Sequence, residues 1–334
     1  MLQFFKWLPV GVLISLFTIW GSMAIYYGDS RTSTLQTVLA VGFALLGVIA
    51  VMLLLLEQWR FRGIIAYLLI GIVVLFWWFN ISASNDRDWI ADTAIMPYAT
   101  VEGDIITMHN IRNFDYTSEF EYTPAYYDKS FNLNELSSVD VVAVYWMGPA
   151  IAHTMISFGF NDTDYISISI EARKEKGEGY SSVKGIFRQY ELFYVVADER
   201  DVIRLRTNYR KDPPEDVYLY RLPQDPEKKE NAKTFFMEYV RKINELKENP
   251  EFYNTVTTNC TGNIWLHAQV LPDSVPFSWK VQFSGYLPEY LHEHNKLDSN
   301  YSFSELRKRS HINALAQEAD QATDFSKRIR ANLE

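Results

Sequence analysis

The residue with the clearest chemical potential is Cys260, the only cysteine among 334 residues. A single thiol excludes an intramolecular disulfide framework, cysteine-rich zinc sites and iron–sulfur clusters, which all need several cysteines. Cys260 lies in the polar stretch N-T-V-T-T-N-C-T-G-N, whose Thr and Asn side chains can cap a helix start. A helix start lowers the pKa of a thiol and offers N–H donors to an oxyanion. The segment therefore favours a nucleophile over the alternative of a buried, inert cysteine.

A thiol nucleophile needs a base within hydrogen-bond reach, and the chain has six histidines. His267 lies on the same predicted helix, but two turns or about 10 Å beyond the thiol. His109, in M-H-N-I-R, is a candidate substrate-binding residue. His153 differs because it lies inside an apolar strand, residues 150–160, where a buried imidazole indicates a specific role. We therefore expect His153 to be the base, with a hydrogen-bonded core histidine as the alternative.

The neighbouring strand supplies an acid for this histidine. Residues 150–160 and 165–172 flank the turn sequence N-D-T-D, which is typical of a hairpin. If the turn centres on Asp162, His153 faces Glu171 directly across the two strands, with both side chains on one face. A carboxylate opposite an imidazole fixes its tautomer and stabilises the imidazolium. We expect a Cys260–His153–Glu171 triad, with Ser169 as the diagonal alternative to Glu171.

These residues are positioned by a predicted α+β domain. Further strands are predicted at 139–146, 190–196 and 217–222, and a helix begins at Pro226, with Asp225 as its N-cap. A second helix is predicted from Cys260 to about residue 270, and a surface helix over the last 30 residues from Ser304. The chain order of histidine, acid and cysteine is the reverse of the order in papain. It predicts a circularly permuted papain-like fold, in which the nucleophile helix packs against the sheet that carries the histidine.

The first 80 residues contain three apolar runs, at about 7–27, 38–56 and 63–79, each long enough to span a bilayer. Lys6 and the Arg60/Arg62 loop are expected on the cytoplasmic side, while Asp29 and Arg31 cancel in the other loop. Everything after the third run then lies outside the cytoplasm. Cleavage of the first run as a signal peptide is the alternative, and it gives the same outward placement. We expect a membrane anchor at 1–80, a connector at 81–98 and a catalytic domain at 99–334.

The charge pattern bears on ligands. A net charge of −9 argues against nucleic acid as a partner. The H-x-H of His292 and His294 is a weak metal signal with no further ligand pattern, and no metal or other cofactor is expected. Arg204, Arg206 and Arg210 alternate in the stretch 201–210, which is predicted to be extended. On one face of a strand, they could hold the phosphate of a phospholipid. Pairing with nearby Asp and Glu side chains is the alternative.

Several stretches together resemble the Lnb N-terminal periplasmic domain family of bacteria, over roughly residues 100–330. They are H-N-I-R-N-F-D-Y at 109–116, A-H-T-M-I-S-F-G-F at 152–160, E-A-R-K-E-K-G-E at 171–178, Y-E-L-F-Y-V-V-A-D-E-R-D-V-I-R-L-R at 190–206 and Y-N-T-V-T-T-N-C-T at 253–261. Lnb is a lipoprotein N-acyltransferase, understood as a papain-like thiol enzyme distantly similar to NlpC-type hydrolases.

The resemblance implies that Cys260 is the nucleophile and His153 the base. It further implies a phospholipid acyl donor, a lipoprotein acceptor and a multi-pass protein of the bacterial inner membrane with a periplasmic catalytic domain. Tyr253 or the Asn259 amide would then help the helix N–H groups to hold the oxyanion. Two other function classes stay open. One is a cysteine amidase or peptidase acting on cell-wall peptide or protein, and the other is a membrane scaffold without enzymatic activity.

Overall fold

The computed structural model describes residues 2–28, 34–223 and 226–333. The chain divides into two compact units. The first comprises Met1–Arg87, Glu178–Glu191 and Glu251–Thr255, and the second comprises Asp88–Gly177, Leu192–Pro250 and Val256–Glu334. Asp29, Arg31 and Asp225, on which expectations from the sequence rest, lie outside the described residues.

The first unit is built on three helices that are long and apolar enough to cross a membrane. They are α1 (Leu2–Tyr27), α2 (Thr34–Leu53) and α3 (Arg60–Phe79). Helices α1 and α2 approach so closely at Gly47 that a side chain there would collide with Thr18. The Thr18 hydroxyl also hydrogen-bonds to Tyr67 of α3, with 2.6 Å between the oxygens. Small residues and a polar contact inside an apolar bundle are typical of helix packing in membranes.

The second unit contains the ten strands of the described chain. They are β1 (Tyr98–Glu102), β2 (Ile105–Arg112), β3 (Asp115–Tyr116), β4 (Tyr122–Thr123), β5 (Tyr126–Asn132), β6 (Leu136–Tyr145), β7 (Ala152–Phe160), β8 (Asp164–Arg173), β9 (Glu191–Ala197) and β10 (Asp216–Arg221). Eight of them form one sheet in the order β1-β2-β9-β8-β7-β6-β10, with β5 also paired to β2, and β3 pairs with β4 separately. The pairings β1/β2, β2/β5, β6/β7, β7/β8 and β6/β10 are antiparallel, whereas β2 and β9 meet in parallel at one residue pair.

The helices of this unit are α4 (Glu199–Arg204), α5 (Pro226–Glu248), α6 (Cys260–Ala268), α7 (Trp279–Gln282), α8 (Leu287–Glu293), α9 (Phe303–Ser310), α10 (Asn313–Glu318) and α11 (Phe325–Arg328). Helix α5 packs its aromatic face on Phe158 of β7. The opposite face of the sheet buries Met155 against residues of α4, α10 and α11. Alternate residues of β7 therefore serve two separate apolar layers, as the period of a strand requires. This mixed α+β architecture with an antiparallel-rich sheet agrees with the predicted fold class.

The hairpin register expected from the sequence is confirmed. Met155 pairs with Ser169 and Ile156 with Ile168, so the pairing is symmetric about Asp162. Asn161 and Asp162 both adopt positive φ angles, 52° and 57°, which close the tight turn.

Two local predictions are wrong. Residues 201–210 are not extended, because Asp198 caps α4 with its side chain on the Arg200 amide and a π-helical turn, Leu205–Tyr209, continues the helix. The C-terminal segment is not one surface helix but α9, α10 and α11. Phe325 and Ile329 within it are fully buried in the core cluster on the sheet.

Candidate active site

Cys260 is held at the first position of α6 by its polar neighbours. The side-chain oxygen of Asn259 accepts a hydrogen bond from the Gly262 amide at 2.7 Å, which caps the helix start. The carboxamide of Asn263 donates back to the carbonyls of Thr258 at 2.8 Å and Asn259 at 3.1 Å. This closed turn fixes the direction of the half-buried thiol, at the end of the helix where free N–H groups favour negative charge.

His153 lies on β7 with its Nε2 atom against the neighbouring strand. Nε2 lies 2.7 Å from the Ser169 hydroxyl and 3.2 Å from Glu171 Oε1. The Ser169 hydroxyl donates to the same Glu171 oxygen at 2.7 Å. Since Ser169 donates to Glu171, it accepts the proton of His153 Nε2, and the carboxylate lies behind both groups. The Nδ1 atom is then the ring nitrogen left for the thiol.

The thiol of Cys260 meets β7 at two consecutive residues. The His153 imidazole and the backbone and side chain of Thr154 lie close enough to the thiol to lower its pKa, and Thr261 Oγ1 lies 3.8 Å from its sulfur. Thr154 Oγ1 also lies 2.8 Å from Thr261 Oγ1 on α6, where both side chains are fully buried. The nucleophile helix is thus fastened to the strand that carries the imidazole.

The electrostatics of the pair favour charge separation. Burial disfavours the imidazolium of His153, but the Glu171 carboxylate and the Cys260 thiolate together outweigh burial and raise the pKa to about 9. Burial likewise raises the pKa of Cys260, but the charge of the His153 imidazolium and the polar groups of His153 and Thr154 beside the thiol lower it to about 6. Because the thiol loses its proton at a lower pH than the imidazole, the pair exists near pH 7 as a thiolate beside an imidazolium.

Arg206 completes the site beneath Glu171. It lies on the π-helical turn, is 6% exposed, and its Nη2 atom is 3.4 Å from Glu171 Oε1. Its Nη1 atom is 3.4 Å from Glu215 Oε1, which also accepts from Arg210 at 2.9 Å. Burial opposes the ionised form of Glu171, but His153 and Arg206 outweigh it and hold the pKa of that carboxyl well below its usual range. A π-helical turn at such a position is common in functional sites.

The comparisons with known proteins bear on this same region. Residues 122–285 match the Lnb N-terminal periplasmic domain. The match confirms the family resemblance predicted from the sequence and contains Cys260, His153, Ser169, Glu171 and Arg206. No curated protein and no solved structure matches the chain significantly. With the three apolar helices, the Lnb domain indicates a membrane protein with a periplasmic domain.

Other predicted site residues lie in different surroundings. Arg204 is 2% exposed and pairs with Asp115 at 2.7 Å, so it is engaged with a carboxylate, as Arg206 is. His109 lies on β2, where its Nδ1 atom contacts Asp128 at 2.7 Å. In the sheet, β9 and β8 separate that strand from β7. The roles of these residues toward substrate stay predictions.

Tyr253 belongs to the first compact unit, whereas Cys260 belongs to the second. The backbone amide of Tyr253 donates to the Tyr190 carbonyl at 3.0 Å. The Asn259 side-chain oxygen is used as the helix cap. The expected contribution of either residue to an oxyanion hole stays a prediction.

Sequence reasoning missed two residues of the site. Thr154 directly follows His153, so its proximity to the thiol could have been inferred once the base was chosen. Glu215 could not, because its contact with Arg206 depends on how the turn before β10 folds back on the π-helical segment. Among the described residues, no group of three or more His, Cys, Asp or Glu side chains could hold a metal ion.

Proposed function

We propose that this protein is a membrane-anchored cysteine acyltransferase that N-acylates lipoproteins on the outer face of the bacterial inner membrane. The observation that carries the proposal is the Cys260 thiol beside the His153 imidazole, at a helix start in the region that matches the Lnb domain. Two features support it further. The thiol has a lowered pKa, and the imidazole has a carboxylate behind it.

In the first half-reaction, the Cys260 thiolate attacks the carbonyl carbon of a phospholipid ester. Charge develops on the carbonyl oxygen, and we expect amides at the start of α6 to donate hydrogen bonds to it. The tetrahedral intermediate then expels the alkoxide of the lysophospholipid. The His153 imidazolium gives its proton to that leaving oxygen, so that a Cys260 thioester and a neutral imidazole remain.

In the second half-reaction, the α-amine of a lipoprotein's N-terminal cysteine attacks the thioester carbonyl. His153 takes one proton from the amine as the amide bond forms, and the thiolate leaves. Glu171 stabilises the imidazolium in both halves, at the 3.2 Å distance to Nε2. The products are an N-acylated lipoprotein and the original thiolate–imidazolium pair.

The arrangement also supports the finer fold assignment of a circularly permuted papain-like, NlpC-like domain. The histidine precedes the cysteine in the chain, yet α6 lies against the strand that carries the histidine, as the Thr154–Thr261 contact requires. Three membrane-spanning helices would keep the domain beside two substrates that are themselves embedded in a bilayer, which raises their effective concentration.

Mass spectrometry of the intact full chain tests the first half-reaction. Incubation with a phospholipid donor is expected to add one acyl mass, and Cys260→Ser is expected to abolish the addition. Because Cys260 is the only cysteine, the adduct has one possible thioester site. An equal adduct on the Ser variant, or none on the wild type under conditions where the thiol is free, would contradict the proposal.

The second half-reaction separates transfer from hydrolysis. A diacylglyceryl-cysteine peptide should remove the acyl group from the loaded protein much faster than water does, and should gain that mass itself. Loss of the adduct to water at the same rate would instead favour the thiol hydrolase that shares this triad.

A further inference from the structure

The membrane-spanning unit contains a buried cation that forms no ion pair with a carboxylate of the described residues. Arg60, at the first position of α3, is 9% exposed and its guanidinium lies 5.0 Å from the centre of the Trp7 ring. Its Nε atom is buried with no hydrogen-bond partner among the described residues. No ion pair involving this arginine occurs in the part of the chain that the structure describes. A buried guanidinium is costly unless an anion or hydrogen-bond acceptors satisfy it.

Arg60 lines a groove of about 490 Å³ between α1 and the end of α2. The walls of the groove are large apolar side chains of both helices, among them Leu8, Val12, Leu16, Val51 and Leu55. Several of them are about half exposed, Leu8 and Val12 at 48% each. An apolar channel with a buried guanidinium at one end matches the shape of a phospholipid, an acyl chain ending in a phosphate.

A second charge at the same end limits which headgroups the groove can bind. Glu57, three residues before Arg60 and exposed, also lines the groove. A carboxylate near the phosphate position disfavours a purely anionic headgroup, but it suits one that carries an ammonium with N–H donors. The quaternary ammonium of phosphatidylcholine has no N–H donors and is therefore disfavoured.

We propose that this groove binds a phospholipid with a phosphate and a primary ammonium in its headgroup. The phosphate lies on Arg60, the ammonium lies on Glu57, and one acyl chain follows α1 and α2. The positive charges of Lys6, Arg60 and Arg62 predict this end to be cytoplasmic, so the bound lipid belongs to the inner leaflet. The site uses none of the residues of the candidate triad and does not depend on acyl transfer.

Native mass spectrometry of the full chain in mild detergent tests the site, with phosphatidylethanolamine, phosphatidylglycerol and phosphatidylcholine of matched acyl chains as probes. The wild type is expected to retain phosphatidylethanolamine in preference to the other two. Arg60→Gln removes the charge at similar length and should weaken that binding about tenfold, the effect of losing a charge-assisted hydrogen bond. Arg62→Gln is the matched control, because Arg62 is exposed and lies over Trp59 rather than the groove. It should leave the affinity within about twofold.

Glu57→Gln tests the headgroup assignment and keeps the proposal testable if the Arg60 variant does not fold. It should remove the preference for phosphatidylethanolamine over phosphatidylglycerol while phospholipid is still retained. Equal retention of the three lipids by the wild type, or unchanged retention by Arg60→Gln, would overturn the proposal.

Discussion

Arg206 and His153 contact the same carboxylate oxygen. Glu171 Oε1 lies 3.2 Å from His153 Nε2 and 3.4 Å from Arg206 Nη2. The two cations affect each other in opposite ways through this oxygen. Arg206 lowers the pKa of His153 directly, but it also keeps Glu171 ionised, and Glu171 is the stronger influence, raising the imidazole pKa. Because Glu171 is 30% exposed, water can solvate its carboxylate if the contact with Arg206 is lost.

Replacing Arg206 should therefore lower both the free energy of unfolding and the fraction of Cys260 that is ionised. Arg206→Met leaves the buried Glu215 with Arg210 alone and leaves Glu171 without its second cation. We expect a loss of about 3 kcal/mol in the free energy of unfolding, the usual result of removing one partner of a buried ion pair. Thermal unfolding of the full chain in detergent measures it. Arg206→Lys keeps the charge and should recover part of the loss, whereas equal loss in both variants would show that only the guanidinium's packing matters.

The thiol should ionise well below the usual range. With a pKa of about 6 for Cys260 and about 9 for His153, the ion pair forms as the pH rises through 6 and is lost as it rises through 9. The two groups titrate as a coupled pair, so the measured values belong to the pair. The rate of alkylation of the single thiol by iodoacetamide should rise near pH 6. Acyl transfer should give a bell-shaped profile between the two values.

The imidazole carries most of this effect, so His153→Ala provides the sharpest comparison. Without the imidazolium, burial raises the pKa of the thiol and only Thr154 and the helix start oppose it, so the pKa should rise well above the wild-type value of about 6. Alkylation at pH 7 should then slow by at least about tenfold, since the thiolate is the reactive form. An unchanged pH profile would mean that the helix start, rather than His153, sets the pKa of Cys260.

A pair of variants identifies the third member of the triad. Glu171→Gln keeps the size of the side chain but removes the charge that stabilises the imidazolium. The onset of alkylation should therefore move up by about one pH unit. Ser169→Ala removes the bridging hydroxyl and leaves the carboxylate 3.2 Å from Nε2, so its shift should be smaller. A larger shift for the Ser169 variant would assign the third role to the hydroxyl.

How far the site was predictable depends on which contacts are local. The register that brings His153 to Glu171 follows from one turn and the alternation of two strands, and the cap at Asn259 follows from its own segment. Arg206 was different. Its alternation with Arg204 predicts a strand, although Asp198 in D-E-R-D is an N-cap signal for the helix that forms. Its contact with Glu171 is tertiary, and no spacing in the chain encodes it.

The charged and small residues of the C-terminal segment predict a surface helix, but one of its cations, Arg330, is buried. Arg330, 3% exposed, donates to Asp140 Oδ2 at 2.9 Å and to both oxygens of Glu199 at 2.6 and 2.8 Å. Arg330→Met leaves the buried Glu199 carboxylate without a cation and should lower the free energy of unfolding by about 3–5 kcal/mol. Arg328→Met is the matched control, since Arg328 is 55% exposed and its one ion pair among the described residues is with Asp324, the N-cap residue of α11. It should change stability by less than about 0.5 kcal/mol. Similar thermal unfolding of the two variants would mean that the tail is held by Phe325 and its apolar neighbours rather than by the ion pair.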